Sequence, residues 1–206
     1  SINAFKNFTE IKKTIIVYNK KHKKYIGKLK LNKTLKIVGG KTRQESTYKA
    51  LQKIKGMGCK KVLIHDSARP FPSKELIKNI IHKLKKNHAV LPIIKINDAT
   101  KRAEKNIIFK NIERNSLRFA QTPQGFTFSK ILEKHRDNIN ESFDDDSALF
   151  TNYGEKVLAV NGSKANLKIT DKEDLDIFRS LKKGKTFNGI GFDIHRLVKG
   201  RKLYLG

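Results

Sequence analysis

Short apolar runs alternate along the chain with stretches in which apolar residues recur every three or four positions. Residues 13–18 (Lys-Thr-Ile-Ile-Val-Tyr), 35–38, 61–65 and 89–94 hold the runs, and their length predicts strands. Val62, Leu63 and Ile64 have the continuous apolar character of a strand buried on both faces. Helical spacing fills the intervals. Ile2, Phe5 and Phe8 suit the end of an amphipathic helix over 2–9, and residues 20–31 read as a basic helix. Gly39-Gly40 breaks the pattern and opens a loop. Tyr48, Ala50, Leu51 and Ile54 then predict a helix over 43–55. Ser73 is placed to cap another, with Leu76, Ile77, Ile80, Ile81 and Leu84 as its buried stripe. Strands alternating with helices predict an α/β fold: a Rossmann-like, mostly parallel sheet with right-handed crossovers and helices on both faces.

The pattern changes after residue 94. Two polar extended stretches within 95–119 flank Glu104-Lys105-Asn106 and predict a β-hairpin arm projecting from the sheet. Residues 121–126 (Gln-Thr-Pro-Gln-Gly-Phe) read as a loop, and 128–135 as a helix. Asp144-Asp145-Asp146-Ser147 opens another helix, where acidic residues suit the positive end of the helix dipole. Residues 157–160 read as a strand and Lys168-Ile169 as a short one. Thr170 and Glu173 form a capping box for a helix over 171–182. Lys182-Lys183-Gly184-Lys185 reads as a linker, and no internal repeat is visible.

Composition narrows the function classes. The 206 residues allow an ordinary domain with a core, and no apolar run is long enough to span a bilayer, so no membrane partner is expected. The start reads as helix and not as a secretory leader. Cys59 is the single cysteine, which excludes an intrachain disulfide and fits a reducing cytoplasm. The formal charge of +27 is of the size that nucleic-acid binders carry. Yet of the 46 basic residues only nine are Arg, the usual reader of bases and fork for phosphates. No stacking motif accompanies tracts such as Lys20-Lys21-His22-Lys23-Lys24. The abundance of Lys, Asn and Ile matches AT-rich codons, so the tracts read as solvated faces. Nucleic acid is set aside as the main partner, and a basic nucleic-acid-binding domain is kept as the alternative from a different class.

Candidate chemistry gathers after the strand at 61–65. His65, Asp66, Ser67 and Arg69 follow it at once, and Pro70 and Pro72 stop its continuation. In an open α/β sheet, ligands sit beyond the carboxyl ends of the strands. Asp66 and Arg69 therefore stand at a site mouth, or else Asp66 caps an ordinary strand-to-helix loop. His65 reads as a packed or hydrogen-bonded residue of the sheet and not as a catalytic base.

Six motifs in order resemble one family. They are Gly39-Gly40-x-x-Arg43-x-x-Ser46, His65-Asp66-Ser67-Ala68-Arg69-Pro70, Asp98-x-x-Lys101-Arg102, Glu113-Arg114-Asn115-x-Leu117, Gln121-Thr122-Pro123-Gln124 and Asn166-x-Lys168-Ile169-Thr170. Together they resemble 2-C-methyl-D-erythritol 4-phosphate cytidylyltransferase, of the non-mevalonate isoprenoid pathway, from the start to about Leu181. The resemblance implies nucleotidyl transfer: a phosphate oxygen of methylerythritol phosphate attacks the α-phosphorus of CTP, and pyrophosphate leaves. It implies Arg114 and Lys168 as the catalytic pair holding the attacking phosphate. Asp66, Arg69, Lys101 and Thr122 then bind substrate, while Gly39, Gly40, Ser46 and Asp66 bind the nucleotide. Asp66 keeps more than one role at this stage, and Arg69 either holds phosphate or braces its loop. Mg2+ arrives mainly with the triphosphate. The hairpin arm is expected to embrace a second subunit in a homodimer, with Arg114, and Lys101 as a further candidate, serving the neighbouring site. A nucleotidyltransferase for another small phosphate or sugar is the alternative among enzymes, since this fold serves many substrates.

A second resemblance begins at Gly189. Gly189-Ile190-Gly191-Phe192-Asp193-Ile194-His195-Arg196, followed by Leu203-Tyr204-Leu205-Gly206, is similar to the opening of 2-C-methyl-D-erythritol 2,4-cyclodiphosphate synthase. The combination implies a bifunctional protein, cytidylyltransferase-like over 1–183. Residues 184–206 would be a linker and the first strand of a second α/β domain. Asp193 and His195 would be two ligands of a zinc-type divalent cation. Two departures bear on activity. The family's glycine-rich triphosphate loop would precede Ser1, so little transferase activity is expected of these 206 residues alone. The Thr that usually follows the arm's Asp is Ala99 here, with Thr100 one place later.

Overall fold

The computed structural model describes residues 1–29 and 34–182. Two compact units divide the chain, Ser1–Lys168 and Ile169–Gly206. The first unit opens with a short helix α1 (Ile2–Phe5), followed by strand β1 (Thr14–Tyr18), a 3-10 turn at Lys20–His22, and α2 (Lys23–Gly27). Strand β2 (Thr34–Val38) pairs in parallel with β1, Thr14 opposite Thr34 and Tyr18 opposite Val38. Helix α3 (Arg43–Ile54), β3 (Lys61–Ile64), α4 (Lys74–Lys83) and β4 (Ala89–Lys95) follow in the expected alternation. Ser73 caps α4 as its sequence implies, its hydroxyl accepting the Leu76 N–H at 3.1 Å.

Beyond the arm lie β7 (Arg118–Ala120), β8 (Gln124–Thr127), α5 (Phe128–Asp137), α6 (Ala148–Thr151) and β9 (Leu158–Asn161). Strand β8 lies antiparallel between β3 and β4. Strands β3 and β4 therefore run the same way, and β9 joins β4 in parallel. Because β9 takes one edge of β4, both β7 and β8 take the other. They act as one antiparallel strand interrupted at residues 121–123. The Gln121 N–H still donates to the Pro92 carbonyl at 2.8 Å, and a cis peptide bond joins Thr122 to Pro123. The parallel expectation thus holds for β1 with β2 and for β3, β4 and β9. The loop expected over 121–126 is corrected: Gln124–Thr127 is a central strand, with Gln124, Gly125 and Phe126 buried. A Gln and a Gly in four residues conceal it, because its burial comes from the strands on either side.

Side-chain parity puts helices on both faces. Val62 and Ile64 of β3, Ala89 of β4 and Phe126 of β8 pack with Leu51 and Ile54 of α3, Ile131 of α5 and Phe150 of α6. The alternate residues, Leu63 and Val90, pack with Leu76, Ile80 and Leu84 on the α4 side. Ile15 and Leu35 carry the β1–β2 pair onto the first of these cores. Phe126 stacks on Phe150 with ring centroids 5.4 Å apart. Burying side chains of this size stabilises by about 1.5–3 kcal/mol each, which holds the four-residue α6 in place.

The arm forms as expected. Strands β5 (Thr100–Glu104) and β6 (Ile107–Ile112) pair antiparallel, with an irregularity at Arg102 and Ala103. Lys105 and Asn106 have φ of 44° and 71°, the two left-handed positions that a type I′ hairpin turn requires. Ile107, Ile108 and Phe109 are exposed along it. In the second unit, helix α7 (Lys172–Lys182) starts one residue later than expected, and its cap shifts with it. Asp171 accepts the Asp174 N–H, and the Asp174 carboxylate takes both the N–H and the hydroxyl of Thr170. The pair expected at Thr170 and Glu173 is corrected to Asp171 and Asp174. Lys168 and Ile169 form no strand. No described helix is long and apolar enough to cross a membrane.

Gly125 makes a close approach necessary. A Cβ there would lie 2.6 Å from Leu84 Cδ1 and 2.7 Å from Ile80 Cγ2, and both side chains are buried. Gly125→Ala should therefore lower stability by about 1–3 kcal/mol. Urea unfolding should show a lower midpoint with an unchanged slope. An unchanged midpoint would show that α4 yields without cost.

Candidate active site

The carboxyl ends of β3, β4 and β9 share one edge of the main sheet, and the interruption at 121–123 lies at that same edge. Four of the residues expected to act there, Asp66, Arg69, Thr122 and Lys168, converge. Asp66 Oδ2 lies 3.5 Å from Arg69 Nε and 3.4 Å from Lys168 Nζ. One carboxylate oxygen thus faces two cations. Arg69 also braces the loops, donating from Nη1 to the Asn166 carbonyl at 2.8 Å and from Nη2 to the Ala120 carbonyl at 3.4 Å. The Asp66 N–H donates to Thr122 Oγ1 at 3.0 Å.

His65 ties these groups together. Its Nε2 is 2.9 Å from the Arg69 carbonyl and its Nδ1 is 3.0 Å from Thr122 Oγ1. A carbonyl only accepts, so Nε2 carries the proton and Nδ1 accepts from the threonine hydroxyl. Thr122 Oγ1 therefore gives its hydrogen to His65 and receives one from Asp66. Burial holds the His65 imidazole below its ordinary pKa of 6.5, against the opposing pull of the Arg69 carbonyl and the Asp66 charge. The Phe5 ring meets the imidazole edge-on at 5.0 Å between centroids. Behind them, Asn166 Nδ2 donates to the Thr122 carbonyl at 2.8 Å, and Gln121 Nε2 donates to the Ser163 carbonyl at 2.9 Å. Asn166 is fully buried, and its Oδ1 has no partner among the described residues.

Gly39, Gly40 and Ser46 lie together at the carboxyl end of β2. Ser46 Oγ accepts the Gly40 N–H at 2.9 Å and donates to the Thr42 carbonyl at 2.8 Å. Helix α3, which carries Ser46, is held from behind by a buried anion. Asp146 Oδ2 is 2.5 Å from Arg43 Nη1 and its Oδ1 is 2.9 Å from His135 Nε2. Burial opposes the Asp146 charge, but the His135 hydrogen bond and the Arg43 guanidinium outweigh it and lower the pKa. Arg114 and Lys101 are elsewhere. Arg114 sits in a 3-10 turn (Arg114–Ser116) at the base of the arm and donates to the Asn97 carbonyl. Lys101 is on the arm, its ammonium 2.5 Å from Asn111 Oδ1. Neither is hydrogen-bonded to the Asp66 cluster. Thr100 begins β5, its hydroxyl directed to the Asp98 carbonyl at 3.5 Å. Asp193 and His195 lie outside the described residues.

A family model described as 2-C-methyl-D-erythritol 4-phosphate cytidylyltransferase (IspD) matches residues 1–181. The chain belongs to this family. It is 41% identical over 206 residues to the bifunctional enzyme IspD/IspF of Pelagibacter ubique, covering 100% of this chain and 54% of that protein. It is 33% identical over 187 residues to the 2-C-methyl-D-erythritol 4-phosphate cytidylyltransferase of Bacillus mycoides, covering 87% of this chain and 82% of that one. The chain spans about half the length of the bifunctional relatives it matches. Among solved structures it is similar to the 4-diphosphocytidyl-2C-methyl-D-erythritol synthase of Anaerococcus prevotii, with TM-score 0.80 and 29% identity over 89% of this chain and 84% of that one. The bifunctional IspDF of Campylobacter jejuni matches with TM-score 0.70 and 30% identity over 85% of this chain and 45% of that one.

Within this cytidylyltransferase fold, Asp66, Arg69, Thr122 and Lys168 meet at one edge. Gln121 and Asn166 brace them, and no role for either is expected from the sequence motifs that contain them. Thr42-x-x-Glu45 at the start of α3 is a capping signature legible in the sequence and absent from the expectations above. Thr42 Oγ1 does accept the Glu45 N–H, at 3.0 Å.

The hydrogen bonds on His65 make a testable statement. The folded pKa lies below the unfolded one, so as pH falls the unfolded chain takes up the proton first. The contribution of His65 to stability is full above pH 6.5 and is lost as pH falls towards the folded value. NMR of the ring nitrogens should show the Nε2–H tautomer and a midpoint below 6.5. A midpoint above 6.5, or the Nδ1–H tautomer, would contradict the arrangement.

Proposed function

We propose that the protein transfers CMP from CTP to 2-C-methyl-D-erythritol 4-phosphate with release of pyrophosphate. The observation that carries this reading is the Asp66 carboxylate shared by Arg69 and Lys168, beside Thr122, in a chain of the cytidylyltransferase family. Both reactants are anions, so the protein must offset their charge and align the oxygens in line. Lys168 and Arg114 hold the attacking phosphate, with Thr122, Arg69 and Lys101 completing its site. Gly39, Gly40 and Ser46 receive the cytosine, and Asp66 contacts the region where nucleotide and substrate meet. A new bond forms between a substrate phosphate oxygen and the α-phosphorus. The bond from the α-phosphorus to the β-phosphate bridge breaks, and pyrophosphate leaves with that electron pair. The monoester is largely ionised at neutral pH, so no side chain need deprotonate it.

Mg2+ enters as part of the CTP substrate. No group of three or more His, Cys, Asp or Glu converges among the described residues. We assign residues 1–183 to the transferase and 184–206 to a linker and the opening of a cyclodiphosphate synthase-like domain. Asp193 and His195 would there contribute to a zinc-type site. The match of the whole chain to a bifunctional relative supports this assignment. A cytoplasmic setting fits such metabolism.

The arm supports a dimer. Its apolar Ile107, Ile108 and Phe109 are exposed, and an isolated hairpin is marginal in water. A second subunit would cover it and receive Arg114 into its Asp66 cluster. In the full-length protein that carries this chain, Arg114→Ala and Lys168→Ala should each lower kcat/KM by about 100-fold, read as pyrophosphate release. Mixing the two variants should then restore up to about half the native activity in mixed dimers, because both lesions fall on one of two symmetric sites. No restoration would place Arg114 in its own subunit's site. Unchanged kinetics in both single variants would remove them from the site.

A further inference from the structure

The loop at the carboxyl end of β2 uses up its own donors. The Gly39 N–H donates to the Tyr18 carbonyl at 2.9 Å, the Gly40 N–H to Ser46 Oγ at 2.9 Å, and the Lys41 N–H to Glu45 Oε2 at 2.6 Å. The Ser46 hydroxyl hydrogen is also committed, to the Thr42 carbonyl. The carbonyl oxygens of Gly39 and Gly40 have no donor among the described residues. Three successive amides are therefore closed, and the loop offers acceptors.

The two glycines serve this arrangement. A Cβ on Gly39 would lie 2.7 Å from Ser46 Oγ, and one on Gly40 would clash with the Glu45 side chain. The Glu45 carboxylate fills the place a Gly40 side chain would take, and its other oxygen is 2.8 Å from Lys49 Nζ. Ser46 belongs to the nucleotide residues already named. Glu45 does not, and its part is separate: it closes the third of these successive amides.

We infer that Glu45 is a positioning residue for base choice, making the Gly39–Lys41 loop accept an amino-bearing pyrimidine over its keto counterpart. This rests on the CTP reading above. Position 4 of cytosine bears an amine, which donates to a carbonyl. Position 4 of uracil bears a keto oxygen, which meets carbonyl oxygens with no hydrogen between them. A free Lys41 N–H would give that oxygen a partner, and Glu45 removes it. Leaving a polar group of the wrong analogue unpaired is how a site rejects that analogue strongly.

The test compares CTP with UTP in the full-length protein that carries this chain, measuring kcat and KM by pyrophosphate release. Glu45→Ala should lower the CTP-to-UTP ratio of kcat/KM by about tenfold or more, through a higher KM for CTP and an unchanged or improved use of UTP. Glu45→Gln should keep the ratio within about threefold of native, because its amide oxygen still accepts the Lys41 N–H. A merely structural role would lower both nucleotides together and leave the ratio alone. Gly40→Ala, which displaces Glu45, should repeat the loss of selectivity and serves if Glu45→Ala does not fold. A native ratio in a folded Glu45→Ala or Gly40→Ala protein would overturn the inference while leaving the transferase reading intact. A native protein that releases no pyrophosphate from CTP would overturn the reading itself, and the inference with it.

Discussion

The antiparallel strand formed by β7 and β8 along one edge of β4 is the constraint on which the rest depends. Without it β3 and β4 would have no common neighbour, since each hydrogen-bonds to β8 and not to the other. Its alternate residues set the two faces: Phe126 enters the core under α3, α5 and α6, and Gly125 leaves room for α4. Its interruption does the chemical work. Where regular pairing stops, Gln121 and Thr122 turn to neighbours outside the ladder. Gln121 holds the loop after β9, and Thr122 holds the loop after β3. The same departure from a continuous ladder thus anchors the loops that lead to Asp66 and to Lys168. Interruptions of this kind are common where a sheet must re-aim side chains at a site.

Asp146 is the second fixed point, with a different physical basis. A carboxylate buried alone would be protonated or would unfold its surroundings. Here the Arg43 guanidinium and the His135 ring surround it, and Tyr48 stacks on that ring with centroids 6.3 Å apart. Neighbouring Asp145 takes up the Ser147 hydroxyl and the Ala148 N–H, and Gln124 of β8 bonds to both Asp145 and Ser147. The acidic run expected to begin a helix lies ahead of it instead, since α6 starts at Ala148 with no acidic residue in its first turn, and its larger part is to connect β8, α3 and α5. Removing one partner from such a pair costs more than the pair contributes, because a buried charge is left uncompensated. The orientation of α3, and with it Ser46 and the Gly39–Lys41 loop bonded to it, depends on this network.

Much of the fold was legible because its signals are local. The apolar runs, the Ser73 cap, the helix at Arg43–Ile54 and the positive-φ turn of the arm all follow from a few consecutive residues. The failures share a cause. Strand β8 has no alternating pattern of its own, and its strand character is conferred by β3 and β4. Lys168-Ile169 has a strand-like pair of residues but finds no neighbouring strand. The cap of α7 slipped by one because Asp171 and Asp174 compete with Thr170 and Glu173, and an Asp at the cap position is the stronger choice beside Thr. In the site, residue types at the end of β3 pointed to Asp66 and Arg69, and the family resemblance alone pointed to Lys168. The bracing by Asn166 was not legible, since its bond to the Thr122 carbonyl spans 44 residues.

Charge in this chain is informative only where it is held. With 46 basic residues, an unpaired lysine says little about a site. Lys168 differs because a carboxylate fixes its place, yet only loosely: at 3.4 Å from Asp66, and with nearly half of its side chain exposed, it is not committed to that partner. Arg69 is the opposite, mostly buried and bonded to two backbone carbonyls besides Asp66. Under the transfer proposed above, a phosphate dianion arriving at this edge would carry more charge than one carboxylate. It would draw the lysine away while the arginine stays to hold Asp66 and the loops in place. Of the two cations on one oxygen, the arginine would then preserve the geometry, and the lysine would be left able to follow the charge that moves in the proposed reaction.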